Sequence, residues 1–89
     1  MIRYHIIIYG DVQGVGFRYF TRKNAFLYNI NGWVRNKSDG TVEIDAEGSE
    51  PDMAEFIKVL ESGNMNSSIE SINIEKLPDM KHYSSFNIV

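Results

Sequence analysis

Gly10-Asp11-Val12-Gln13-Gly14-Val15-Gly16-Phe17-Arg18 joins two segments of different periodicity, and that junction decides the fold. Before it, Ile2-Arg3-Tyr4-His5-Ile6-Ile7-Ile8-Tyr9 is β-branched and aromatic, with Ile2, Tyr4, Ile6 and Ile8 on one face of a strand. After it, Phe17 to Asn29 follows a helical period, with Phe17, Phe20, Leu27 and Tyr28 on its apolar side and Asn24 interrupting that side. Glycine tolerates φ > 0 and lets the backbone come close to a ligand, so this loop can turn its N–H groups inward around an anion. The helix start contributes orphan N–H groups and the positive end of its dipole. Arg18 supplies a planar fork of donors matched to phosphate or carboxylate. Val12, Gln13, Gly14, Val15, Gly16, Phe17 and Arg18 are therefore candidate binding residues of an oxyanion cradle. The plain alternative is an ordinary glycine-rich turn followed by a solvated arginine.

The nucleotide motifs do not fit. A Walker loop ends in Gly-Lys-Ser/Thr, whereas Gly16 precedes Phe17-Arg18, and the dinucleotide fingerprint needs a glycine where Tyr19 stands.

Outward from the helix, Trp33-Val34-Arg35-Asn36 and Thr41-Val42-Glu43-Ile44-Asp45-Ala46 read as two strands around Lys37-Ser38-Asp39-Gly40, whose Asp-Gly is a hairpin signal. Val42, Ile44 and Ala46 alternate with Glu43, Asp45 and Glu47, which predicts a strand buried on one face only. Ser49, Pro51 and Asp52 predict a second helix start, with Met53, Phe56, Ile57 and Leu60 as the apolar stripe and Gly63 as the stop. Ile69, Ile72 and Ile74 mark another strand, Leu77 to His82 a connection, and Ser84 to Val89 a short last strand. The order is strand, helix, strand, strand, helix, strand, plus the final short strand. That is the α+β, ferredoxin-like split βαβ arrangement: one mostly antiparallel sheet with two helices on one face, and residues 1–89 form one domain.

Composition narrows the function. The absence of cysteine excludes disulfides, zinc-thiolate sites and thiol catalysis. A net charge of −3 argues against nucleic acid as partner. Ile6-Ile7-Ile8 is far too short to span a membrane and has no signal-peptide cleavage region, so no membrane partner and a cytoplasmic location are expected. His5 and His82 stand apart from any metal-ligand spacing, so no metal site and no cofactor are expected. Asp11 would repel a phosphate and reads as a solvated loop position. Trp33 and Phe17 read as core or cradle support, and Arg22 and Lys23 as a solvated helix face. Asn36-Lys37-Ser38 and Asn66-Ser67-Ser68 match the glycosylation pattern, which without a secretory signal decides nothing.

Fold alone assigns no activity. The residues quoted above, however, resemble the acylphosphatase family. That family carries Gly-x-Val-Gln-Gly-Val-x-Phe-Arg, matched by Gly10 to Arg18 at every defined position. Its second signature is matched by Gly32-Trp33-Val34-Arg35-Asn36, Gly40-Thr41-Val42 and Gly48. The chain departs from the family's Gly-Pro-like turn after the second helix, where it has Gly63-Asn64-Met65-Asn66-Ser67-Ser68. The resemblance implies metal-independent hydrolysis of a small-molecule acyl phosphate, with Arg18 binding the phosphoryl group and Asn36 orienting the attacking water. These two are the candidate catalytic residues, and a monomer is expected. Two other readings stay open on the residues: a non-catalytic module of the same fold that holds phosphate or carbamoyl phosphate, and a nucleic-acid binder. For Asn36 itself, a structural role beside the hairpin turn is also available.

Overall fold

A computed structural model describes residues 1–89, the whole chain. The elements are β1 (Ile2–Asp11), α1 (Phe17–Leu27), β2 (Asn31–Asn36), β3 (Val42–Gly48), α2 (Glu50–Ser62), β4 (Ser68–Leu77) and β5 (Phe86–Ile88). The five strands form one sheet in the order β4-β1-β3-β2-β5. Its neighbours are antiparallel except β2 and β5, which run parallel with Gly32 opposite Phe86 and Val34 opposite Ile88. The expected α+β split βαβ arrangement is the one observed.

Alternation sends Ile6, Ile8, Val34, Val42, Ile44 and Ala46 of the sheet into a core shared with Phe17 and Ala25 of α1 and Met53, Phe56 and Leu60 of α2. The second helix follows its sequence signals closely. Ser49 Oγ accepts from the Asp52 N–H at 3.2 Å, and the Gly63 N–H closes the far end on the carbonyls of Val59 and Leu60. Its stripe is buried as expected, with Ile57 packed at the edge.

Helix α1 departs from its predicted stripe. Leu27 is 60% exposed, and the fully buried positions are Phe17, Thr21 and Ala25, flanked by Phe20 and Tyr28. The spacing of four residues makes Phe17, Thr21 and Ala25 one continuous row, and Leu27 falls off it. Thr21 is tolerated inside because its hydroxyl donates to the Phe17 carbonyl at 2.9 Å. Asn24 solves the same problem in the same way, donating to the Phe20 carbonyl at 2.9 Å.

The larger correction concerns β3. It was expected to bury one face, yet all seven of its residues are buried. It is the central strand, and the face turned away from the helices is covered by the segment that links β4 to β5. Each carboxylate on that face has acquired partners. Glu47, 1% exposed, accepts the backbone N–H groups of Lys81, His82 and Tyr83. Asp45 takes Arg3 in a two-pronged pair at 2.9 and 2.8 Å, and Arg3 reaches on to Asp79 at 3.0 Å. Glu43 lies between His5 at 2.6 Å and Arg35 at 2.5 Å. Trp33 Nε1 donates to the Tyr83 hydroxyl at 3.1 Å, which fastens the strap once more.

Two predictions follow from this face. Replacing Glu47 by Gln turns one end of an acceptor-only group into a donor facing three N–H groups. The loss is expected at about 1–3 kcal/mol, with the thermal midpoint falling about 4–8 °C per kcal/mol in a domain this small; a calorimetric melt measures it. For Glu43, burial pushes the carboxyl pKa up, but the hydrogen bonds from His5 and Arg35 outweigh it and hold the value below the ordinary 4.5. Its contribution is thus present above that ordinary value and is lost as pH falls through the lower folded one. Melting temperature should decline over that acid range, and less steeply in Glu43→Gln.

Candidate active site

The β1–β4 register slips between Tyr9 and Gly10, just before β1 ends at Asp11 and the loop begins. From there Val12 and Phe17 turn inward, both 1% exposed, and nail the two ends of the loop to the core. Between them Gly14 and Gly16 sit in the left-handed region, at φ 74° and 77°. A side chain at either position would strain this backbone, and the two left-handed residues curl the chain into a concave turn. Gly16 is also the N-cap of α1.

No backbone N–H of Gln13, Gly14, Val15 or Gly16 donates within the chain; the first donor after them is Phe20, to the Gly16 carbonyl at 3.0 Å. The opening N–H groups of α1 have no helical acceptor by construction. A run of free donors therefore lies along the loop beside a hollow at the positive end of a helix. That hollow is a cavity of about 190 Å³ lined by Val12, Gly14, Gly16, Phe17, Arg18, Tyr19, Asn36 and Ile88. Arg18 stands in the first turn of α1 and is exposed. Arg3 and Arg35 are tied to carboxylates, whereas Arg18 is paired with none.

Asn36, at the end of β2, brings its amide to the same cavity, and its Oδ1 is buried with no donor from the protein. Within the hairpin turn the side-chain hydrogen bonding is carried by Asp39. Asp39 Oδ1 accepts from the Thr41 N–H at 3.0 Å and the Thr41 hydroxyl at 2.6 Å, which hold its carboxyl below the ordinary range. A buried acceptor left open beside an arginine and a nest of N–H groups suits a bound water.

Arg18 and Asn36, far apart in sequence, are thus brought together, and five of the seven candidate loop residues, Arg18 among them, line the cavity. Gln13 and Val15 do not line it. Gln13 Nε2 instead donates to the carbonyls of Lys37 at 2.7 Å and Thr41 at 2.8 Å, riveting the loop to the hairpin that carries Asn36. Val15 offers its carbonyl to Asn64 Nδ2 at 2.8 Å. Tyr19, Ile88 and Asn64 were not singled out as site residues. Tyr19 and Ile88 belong to segments whose periodicity assigns them to a helix and a strand, and nothing local marks Asn64 as the loop's neighbour. Asp11, expected as a solvated position, is exposed at the end of β1. A larger groove, about 930 Å³, runs between α1 and β5 past Phe26, Leu27 and Ser85, but it lacks the nest of donors. No helix is long and apolar enough to cross a membrane.

Comparison with known proteins agrees with this geometry. The acylphosphatase family model matches residues 4–88. An acylphosphatase of Bacillus licheniformis is 43% identical over 88 residues, covering 99% of this chain and 98% of that one. The crystal structure of acylphosphatase from Bacillus subtilis superposes with a TM-score of 0.98 at 39% identity, covering 100% of this chain and 99% of the other. Full-length HypF, solved in a phosphate- and nucleotide-bound form, contains a similar unit: TM-score 0.85 and 34% identity, covering 100% of this chain but 12% of that one. With sequence likeness running across nearly its whole length and its fold superposing end to end on a solved member, the chain belongs to the acylphosphatase family.

Proposed function

We propose that hydrolysis of acyl phosphates by this enzyme is divided between the cradle and Asn36. The loop N–H groups and Arg18 hold the phosphoryl oxygens, and Asn36 orients the water that attacks phosphorus. The single observation that carries this reading is the meeting, in one small cavity, of unpaired N–H groups, an unpaired arginine and the open Oδ1 of Asn36.

The chemistry asks for little more. Water oxygen bonds to phosphorus as the bond from phosphorus to the acyl oxygen breaks, and the carboxylate leaves with that bond's electrons. The proton shed by water remains on the phosphate product. Carboxylate is a good leaving group, so no strong general acid is required. In a loose transition state bond formation lags, so a strong base is also dispensable, and a neutral amide suffices to place the water. Among the lining residues none is Asp, Glu, His or Lys, in keeping with that economy. What remains is positioning and stabilisation of charge on the equatorial oxygens, which fixed N–H groups and Arg18 supply without reorganisation. In this reading the reaction proceeds without a metal, which the chelator in the assay below tests.

The relatives this chain matches across nearly its whole length are acylphosphatases by name, which favours the enzyme over the non-catalytic module. We further propose that it acts as a monomer in the cytoplasm. The outer strand β4 carries Glu70, Glu75 and Lys76, and the other edge, β5, is only three residues long, both of which discourage edge-to-edge pairing. Light scattering should return the mass of one chain; the mass of two would overturn the monomer.

Benzoyl phosphate hydrolysis in excess chelator tests the catalytic reading. Wild type should turn over fast, and phosphate monoesters, with poorer leaving groups, slowly. Arg18→Ala should lose roughly 10²–10³-fold in kcat/KM, as for removal of a charge-stabilising donor. Asn36→Ala should lose about 10²-fold, mostly in kcat, as for a misplaced reactant. Folded variants that keep wild-type rates would refute the two roles, and a folded wild type that binds phosphate without turnover would refute the enzyme.

A further inference from the structure

Asn64 lies in the turn between α2 and β4, where the sequence departs from the family's usual form, and it lies outside the cavity. Its amide nevertheless reaches across 49 positions of sequence to the Val15 carbonyl at 2.8 Å. The acceptor is a carbonyl, so the amide must present its nitrogen there, and its own Oδ1 is left buried and unpartnered. The turn holds Asn64 firmly: its N–H donates to Ser67 Oγ at 2.9 Å, and that hydroxyl donates back to the Asn64 carbonyl at 3.1 Å.

The bonded carbonyl belongs to the peptide between Val15 and Gly16. In a trans peptide the C=O and N–H point in opposite directions. Pinning the Val15 carbonyl toward Asn64 therefore points the Gly16 N–H the other way, and Gly16 is a cavity-lining residue whose N–H donates to nothing in the chain. This peptide also needs the restraint. A glycine on its C-terminal side leaves rotation of the plane nearly unhindered, and the flipped plane would aim a carbonyl dipole at a bound anion.

We propose that Asn64 is a positioning residue for the phosphoryl group, acting through the Val15–Gly16 peptide to aim the Gly16 N–H into the cradle; this rests on the reading of the loop as the phosphate site. The side chain touches no substrate. It selects one of two orientations of a peptide that does.

The test uses Asn64→Leu, which keeps the branched heavy-atom skeleton, removes the donor and also removes the unpartnered Oδ1, together with Asn64→Ala. The competitive inhibition constant of inorganic phosphate against benzoyl phosphate should rise roughly 3- to 10-fold, the effect of one lost hydrogen bond, with KM rising alongside and kcat changing less. In ¹H–¹⁵N spectra of the wild type, the Gly16 amide should move on phosphate titration, and its response should shrink in both variants. A lowered melting temperature with unchanged inhibition constant and unchanged Gly16 response would leave Asn64 a purely structural brace and overturn the proposal. Should neither variant fold, the wild-type titration still decides: other loop amides responding while Gly16 does not would also overturn it. A wild type in which no loop amide responds would instead remove the cradle itself, and the strut with it.

Discussion

Everything in this molecule leans on the burial of one acidic strand. β3 occupies the middle of the sheet, so Glu43, Asp45 and Glu47 are enclosed although every second residue of the strand is charged. A carboxylate taken out of water is costly unless charge and hydrogen bonds answer it. The answers here come from three directions: the neighbouring strands give Arg3, His5 and Arg35, and the β4–β5 connection gives backbone N–H groups to Glu47. That connection then leads into β5, which pairs with β2 and sets Ile88 against the wall of the cavity beside the loop. A buried glutamate on the far side of the sheet is thus mechanically joined to the site.

Much of this was legible in the sequence, and the reason is locality. Strand alternation, the Ser49 cap, the Asp-Gly hairpin and the glycines of the loop are all written within a few residues of where they act. Arg18 is a candidate from the loop's own spacing, whereas Asn36 becomes one only through the resemblance to the family. What escaped depends on partners remote in sequence. Period two correctly put Glu47 opposite the apolar face, but a strap beginning some thirty positions later is what buries it. Thr21 and Ala25 outrank Leu27 because small residues seat the helix on the sheet. The turn at Gly63–Ser68 read only as a departure from pattern; its meaning lies in a carbonyl of the loop.

The site economises on chemistry and spends its effort on geometry. Its one full charge is Arg18, and its remaining donors are backbone N–H groups with the Asn36 amide and the Tyr19 hydroxyl. The directions of the N–H groups are set by left-handed glycines, by the two anchors Val12 and Phe17, and by amide side chains that grip carbonyls. Gln13 and Asn64 do this from opposite sides of the loop, one toward the hairpin and one toward the turn after α2. Neither contributes charge.

The two grips have a bearing on folding. Gln13 binds the chain 24 and 28 positions away, and Asn64 binds it 49 positions away. The anion cradle is therefore no autonomous peptide motif that an early hairpin or a detached fragment would already possess. It is complete only when the hairpin carrying Lys37 and Thr41 and the turn after α2 have both met the loop. On the proposed reading of the loop, a phosphate ion would bind the assembled state and not its precursors, and by mass action draw the population toward complete molecules. The substrate group of this enzyme is, in that sense, also a selective ligand of its finished topology.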